Sequence, residues 1–157
     1  MTSMKRRIFL KGSLATGAVG MAVSTGLLTP RVSLAAWSKA AFEATDVNGG
    51  ATALYGSSSM DKSDKIKIKA PDIAENGAVV PVSVTTSIDG ASSISLFADK
   101  NATPLTAEFT LGPSTEGYVS TRIKMGKTAN VVAVVKAGDK LYSSSKEVKV
   151  TIGGCGG

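Results

Sequence analysis

The residue with the clearest capacity for chemistry is the single cysteine, Cys155, set among four glycines as Gly153-Gly154-Cys155-Gly156-Gly157. A thiolate is both a nucleophile and a redox centre. An exposed thiol with the ordinary pKa of about 8.5 keeps a few per cent in that form at neutral pH. Glycine has the most backbone entropy to lose and no side chain to pack, so residues 153–157 are expected to form a flexible arm. Extended by about 3.3–3.6 Å per residue, the three residues past Ile152 carry Cys155 about 10 Å from the last expected strand. An arm without bulk can thread a narrow channel, which suits it to delivering one sulfur atom into another protein's catalytic pocket. No Lys, Arg or His lies beside Cys155 in the sequence to lower its pKa. From composition alone two other readings stay open: a glycine-rich linker with an incidental thiol, and a cysteine that pairs two chains.

The rest of the composition closes off other chemistries. There is no histidine. Ser-His-Asp and Cys-His arrangements therefore cannot form within this chain, and common zinc and copper sites lose their main ligand. No metal site and no cofactor is expected. One cysteine cannot make an internal disulfide, so the folded part must be held by its core. Met60 and Met125 are the other soft donors of residues 36–157, and without histidine or a second cysteine they are read as packing residues.

The sequence has 18 basic and 12 acidic residues, a formal net charge of +6. Five of the basic residues (Lys5, Arg6, Arg7, Lys11 and Arg31) lie in residues 1–35, which contain no acid. A basic start, a weakly apolar run over 12–28 and small residues at Ser33 and Ala35 have the order of an export signal cut before Ala36. Arg6-Arg7 followed by Ile8-Phe9-Leu10-Lys11 is similar to a twin-arginine signal, with Lys5 where Ser or Thr is usual. The glycines and hydroxyls of the run fall short of a spanning helix. Without the leader, 13 basic residues face 12 acidic ones. That near-neutral balance gives no footprint for nucleic acid, and no basic cluster for a membrane surface remains after signal cleavage.

Positioning the arm falls to residues 36–152, read as one domain. Residues 37–44 predict a short helix with Trp37, Ala40, Ala41 and Ala44 on one face. Trp37 and Phe42 are expected to pack this helix onto the domain or a partner. Asn48-Gly49-Gly50 weakens its continuation, 51–55 has helical potential, and 56–63 reads as a serine-rich loop. Residues 65–69 alternate Lys-Ile-Lys-Ile-Lys, a strand with its isoleucines inward and its lysines outward. Further strands are expected over 78–86, 93–98, 105–111, 117–125, 129–137, 140–143 and 147–152, separated by Gly, Pro, Asn or Asp turns. Pro81, which cannot donate to a ladder, marks an edge or a bulge in its strand. Arg122 and Lys124 read as a solvated strand face. Short strands at this spacing predict an all-β, Ig-like antiparallel sandwich with a short N-terminal helix and a flexible C-terminal arm; a small barrel is the competing architecture.

Three stretches carry a resemblance to a known family. Lys146-Glu147-Val148-Lys149-Val150-Thr151-Ile152 with the Gly-Gly-Cys-Gly-Gly ending resembles the signature of the SoxY family of sulfur-oxidation carriers. So do Ile73-Ala74-Glu75-Asn76-Gly77-Ala78-Val79-Val80-Pro81-Val82 and Ser120-Thr121-Arg122-Ile123-Lys124-Met125-Gly126. The resemblance implies an Ig-like fold, a periplasmic location reached by the twin-arginine route, and a heterodimer with a second β protein, SoxZ. It implies that Cys155 bears thiosulfate-derived sulfur, attached by a c-type cytochrome partner and processed by hydrolase and sulfane dehydrogenase partners. The chain would then be a non-catalytic carrier. An exported Ig-like interaction module without a covalent role is the alternative, and it predicts that Cys155→Ser leaves function intact.

Overall fold

The computed structural model describes residues 38–151. Residues 1–37, which include the expected leader and Trp37, and residues 152–157 lie outside the described residues, and with them Cys155, Gly153, Gly154, Gly156 and Gly157.

The alternating segments pair into two sheets. The larger has the order β1-β9-β8-β5-β6, built from β1 (Met60–Lys62), β5 (Ala91–Ala98), β6 (Leu105–Thr110), β8 (Ala129–Ala137) and β9 (Lys140–Val150), with β3 (Ile73–Ala74) also on β9. The smaller has the order β2-β4-β7, from β2 (Ile66–Lys69), β4 (Val80–Thr86) and β7 (Tyr118–Ile123). These form an open, mostly β sandwich, as expected. Period-two patterning decides which side chains meet between the sheets. Val80, Val82 and Val84 of β4, Ile66 of β2, and Val119 and Ile123 of β7 face Ile94, Leu96, Ala98, Val131, Ala133, Val135 and Val148 of the larger sheet. Each fully buried aliphatic side chain contributes about 1.5–3 kcal/mol. Lys67 and Lys69 point outward, while Ile66 is buried.

A second cluster lies on the other face of the larger sheet. The helices α1 (Lys39–Glu43) and α2 (Val47–Tyr55) cover it. Ala41 is fully buried with Phe97, Leu105, Val134 and Leu141, and Phe42, Val47, Leu54, Tyr55 and Met60 pack around them. Ala40, expected on the buried face of α1, is exposed. Helix α2 runs through Asn48-Gly49-Gly50, where only a weakened continuation was expected. Asp46 caps it by accepting a hydrogen bond from the Gly49 N–H at 2.8 Å. Gly50 is there for contact with the sheet, because a Cβ on it would sit 2.7 Å from Phe97 Cε1. Tyr55 at the end of α2 hydrogen-bonds Ser95 and accepts from Ser93 Oγ at 3.1 Å, satisfying two buried hydroxyls of β5.

Several expectations are corrected. The serine-rich stretch 56–63 contains β1, which pairs in parallel with the start of β9. Ile73–Ala74, given no structure, forms β3, parallel to the end of β9. The strands expected at 140–143 and 147–152 are one continuous β9, because Ser143, Ser144 and Ser145 stay paired with Val134, Ala133 and Val132. Tyr118, the first residue of β7 in the strand expected over 117–125, points outward and is 51% exposed. Pro81 lies in the central strand of its sheet, but in the part of β4 that is an edge on the β2 side. The partners of β2 end at Ser83, so β4 has β7 alone beside it at Pro81.

Candidate functional site

The described chain ends at Thr151, four residues before Cys155, so the site visible in the structure is the root from which the cysteine segment departs. The root is built from the three stretches that stood out in the sequence. Val150 and Thr151 follow directly from the core residue Val148. Strand β3 lies alongside, pairing Ile73 with Lys149 and Ala74 with Val150. The Lys149 N–H donates to the Asp72 carbonyl at 2.9 Å and the Thr151 N–H to the Ala74 carbonyl at 3.1 Å. On its other side, the Val150 N–H donates to Thr128 Oγ1 at 3.0 Å. The chain is thus held on both edges up to its last described residue.

Gly77 closes the root. The Met125 N–H donates to the Gly77 carbonyl at 2.7 Å. A Cβ on Gly77 would lie 2.3 Å from the Met125 carbonyl oxygen and 2.8 Å from Val150 Cγ1. Only a glycine lets the 75–79 loop approach this closely. Met125 itself is 2% exposed and belongs to the inter-sheet core, whereas Met60 lies in the cluster under the helices. The two methionines are packing residues of separate clusters. Asn101 fixes the turn that presents Met125, donating from Nδ2 to the Lys124 carbonyl at 2.7 Å and accepting from the Gly126 N–H at 3.0 Å.

One cation braces the same end. Lys146 has the parity of the inward-facing residues of β9, but its Nζ donates to the Ala70 carbonyl at 2.6 Å and pairs with Asp72 Oδ1 at 3.0 Å. It ties the β2–β3 connection to the strand that leads to Cys155. Arg122 and Lys124 are exposed, as their alternation suggested. Among the described residues no group of three or more His, Cys, Asp or Glu is placed to hold a metal ion.

The sequence-predicted site residues, Cys155 and its four glycines, lie outside the described residues. The residues that sequence reasoning missed are those that anchor their base: Ala74, Gly77, Asn101, Thr128 and Lys146. A signal for part of them was present, since Ala74, Gly77 and Lys146 belong to the resemblance stretches.

Comparison with known proteins bears on the whole arrangement. The sequence model of a family described as sulfur oxidation protein SoxY matches residues 51–155, a span that includes the root and Cys155. Among solved structures, the sulfur carrier protein SoxY from Chlorobium limicola f thiosulfatophilum is 50% identical, with a TM-score of 0.63, over 68% of this chain and 97% of that one. The PKD domain of an M14-like peptidase from Thermoplasmatales archaeon SCGC AB-540-F20 is 16% identical, with a TM-score of 0.37, over 54% of this chain and 91% of that one. Comparison with curated proteins gives no match.

Proposed function

Given that the chain belongs to the SoxY family, we propose that it is a periplasmic sulfur carrier of thiosulfate oxidation, with Cys155 as the covalent attachment point. The observation that carries this reading is the placement of one cysteine among four glycines, five residues beyond the end of a strand held on both edges. A firm base and a bulk-free tip suit the delivery of a sulfur atom into a narrow catalytic channel.

The chemistry balances as follows. The Cys155 thiolate and the sulfane sulfur of thiosulfate form a disulfide-type bond, giving Cys–S–S–SO3⁻, and two electrons pass to a c-type cytochrome. A hydrolase adds water across the S–SO3 bond, releasing sulfate and one proton and leaving the persulfide. A sulfane dehydrogenase removes six electrons from the outer sulfur as three waters supply its oxygens. A second hydrolysis releases sulfate and restores the thiol. Haem and metals belong to these partners; this chain supplies the thiol and its presentation, and is not itself the catalyst. The chain works as a heterodimer with SoxZ and reaches the periplasm through the twin-arginine leader, with residues 1–35 removed.

Intact-mass measurement on protein isolated without reductant from cells oxidising thiosulfate tests the reading. Adducts of sulfur and of thiosulfonate are expected on wild type, removed by reductant and absent from Cys155→Ser. Unmodified protein throughout active turnover, or a Cys155→Ser chain that supports turnover, overturns it.

A further inference from the structure

Ile73, Val79 and Tyr118 are the large hydrophobic residues exposed among the described residues, at 57%, 50% and 51%. Two of them flank the root. Ile73 pairs with Lys149 beside Ala74, whose carbonyl accepts from the Thr151 N–H. Val79 is two residues from Gly77, which abuts Val150, and so within about 7 Å of it along the chain. Their neighbours Asp72, Glu75, Asn76 and Ala78 are also exposed, so each side chain stands in an open stretch beside the root. Neither belongs to a core cluster. Tyr118 sits at the far end of β7 from Met125, about 20 Å away by strand geometry.

The length of chain beyond the root decides what must meet this surface. Cys155 lies four positions beyond Thr151, so the covalent chain allows at most about 14 Å between them. An enzyme that takes Cys155 into a channel must therefore bring the mouth of that channel against the surface around Thr151. Exposed aliphatic side chains placed at that surface gain free energy only when covered. Resting on the carrier reading, we propose that Ile73 and Val79 form a docking rim for the apolar wall around the channel mouth of the enzymes that act on Cys155.

The test compares an Ile73→Ser/Val79→Ser chain with wild type, Tyr118→Ser and Cys155→Ser. Each is co-purified with its native partner and added to periplasmic extract of source cells lacking this chain. Initial rates of thiosulfate-dependent cytochrome c reduction are read against carrier concentration. The rim variant is expected to raise the KM for the carrier at least about tenfold with kcat retained, while Tyr118→Ser changes neither. Its thermal midpoint and the rate of Cys155 with a small aromatic disulfide should match wild type; if the double variant is destabilised, Val79→Thr alone is used and should raise KM in the same direction. Unchanged KM in the rim variant, with Cys155→Ser inactive, overturns the rim and leaves the carrier reading standing. An active Cys155→Ser overturns the carrier reading itself. Loss of co-purification of the native partner, or a shift from dimer to monomer of this chain in light scattering, would assign the two residues to a standing subunit interface and overturn the proposal.

Discussion

Replacing Gly77 by alanine tests the packing of the root most directly. The backbone of Gly77 is not in the left-handed region, so conformational strain does not enter; the effect is steric. The added Cβ would meet a carbonyl oxygen at 2.3 Å and Val150 Cγ1 at 2.8 Å, and a backbone atom cannot swing aside as a side-chain tip can. Overpacking of this kind costs about 1–3 kcal/mol. Displacing the loop also weakens the 2.7 Å bond from the Met125 N–H to the Gly77 carbonyl, worth about 1 kcal/mol. The expected loss is about 2–4 kcal/mol, or about 8–16 °C in thermal midpoint for a domain of this size. Gly138→Ala is the control. Gly138 has φ 57° and open space around its Cβ position, so alanine there meets strain alone, about 1 kcal/mol after the gain from a less flexible unfolded chain. Thermal unfolding by circular dichroism gives the ordering. Hydrogen exchange localises it: the amides of Val150 and Thr151 should lose protection in Gly77→Ala and keep it in Gly138→Ala. A Gly77→Ala midpoint within about 3 °C of wild type, or a larger effect at Gly138, refutes the steric account.

Three further outcomes follow from the same structure. Gly50→Ala drives a Cβ to 2.7 Å from the Phe97 ring and should cost about 1–3 kcal/mol in urea unfolding, with Phe97→Val on the same background recovering part of it. Lys146→Met removes the donor to the Ala70 carbonyl and should destabilise by about 1 kcal/mol, whereas Asp72→Asn, whose side chain is 90% exposed, should fall within about 0.5 kcal/mol of wild type. Burial raises the pKa of Tyr55, with the hydrogen bonds of Ser93 and Ser95 opposing it and Glu108 adding to it. A raised folded-state value means this contribution is fully present below the ordinary tyrosine pKa of about 10 and is lost as pH climbs through the folded value. Urea midpoints at pH 9 and 11 should therefore fall more steeply for wild type than for Tyr55→Phe; equal slopes would show that the phenol is not shielded.

Local pattern carried much of the sandwich. Strict alternation at 65–69 placed Ile66 inside and the lysines outside, and the run 129–137 gave the bounds of β8, because side-chain period is a property of neighbouring residues alone. Pattern failed where a strand owes its existence to a distant partner. Met60–Lys62 and Ile73–Ala74 are too short to show a period and form through parallel pairing with β9, and Ser143-Ser144-Ser145 looks like a loop until β8 is beside it. Gly50 read as a helix breaker because propensity is intrinsic, while the ring of Phe97 that demands a glycine there is 47 residues away.

For function the division has the same cause. A reactive thiol flanked by residues without side chains is a statement about covalent structure, so Cys155 and its freedom from bulk were legible in five letters. Where that segment departs was not. Gly77, Met125, Thr128 and Val150 meet only once two sheets have closed on one another, and a distance between residues so far apart in the chain has no trace in the pattern of either.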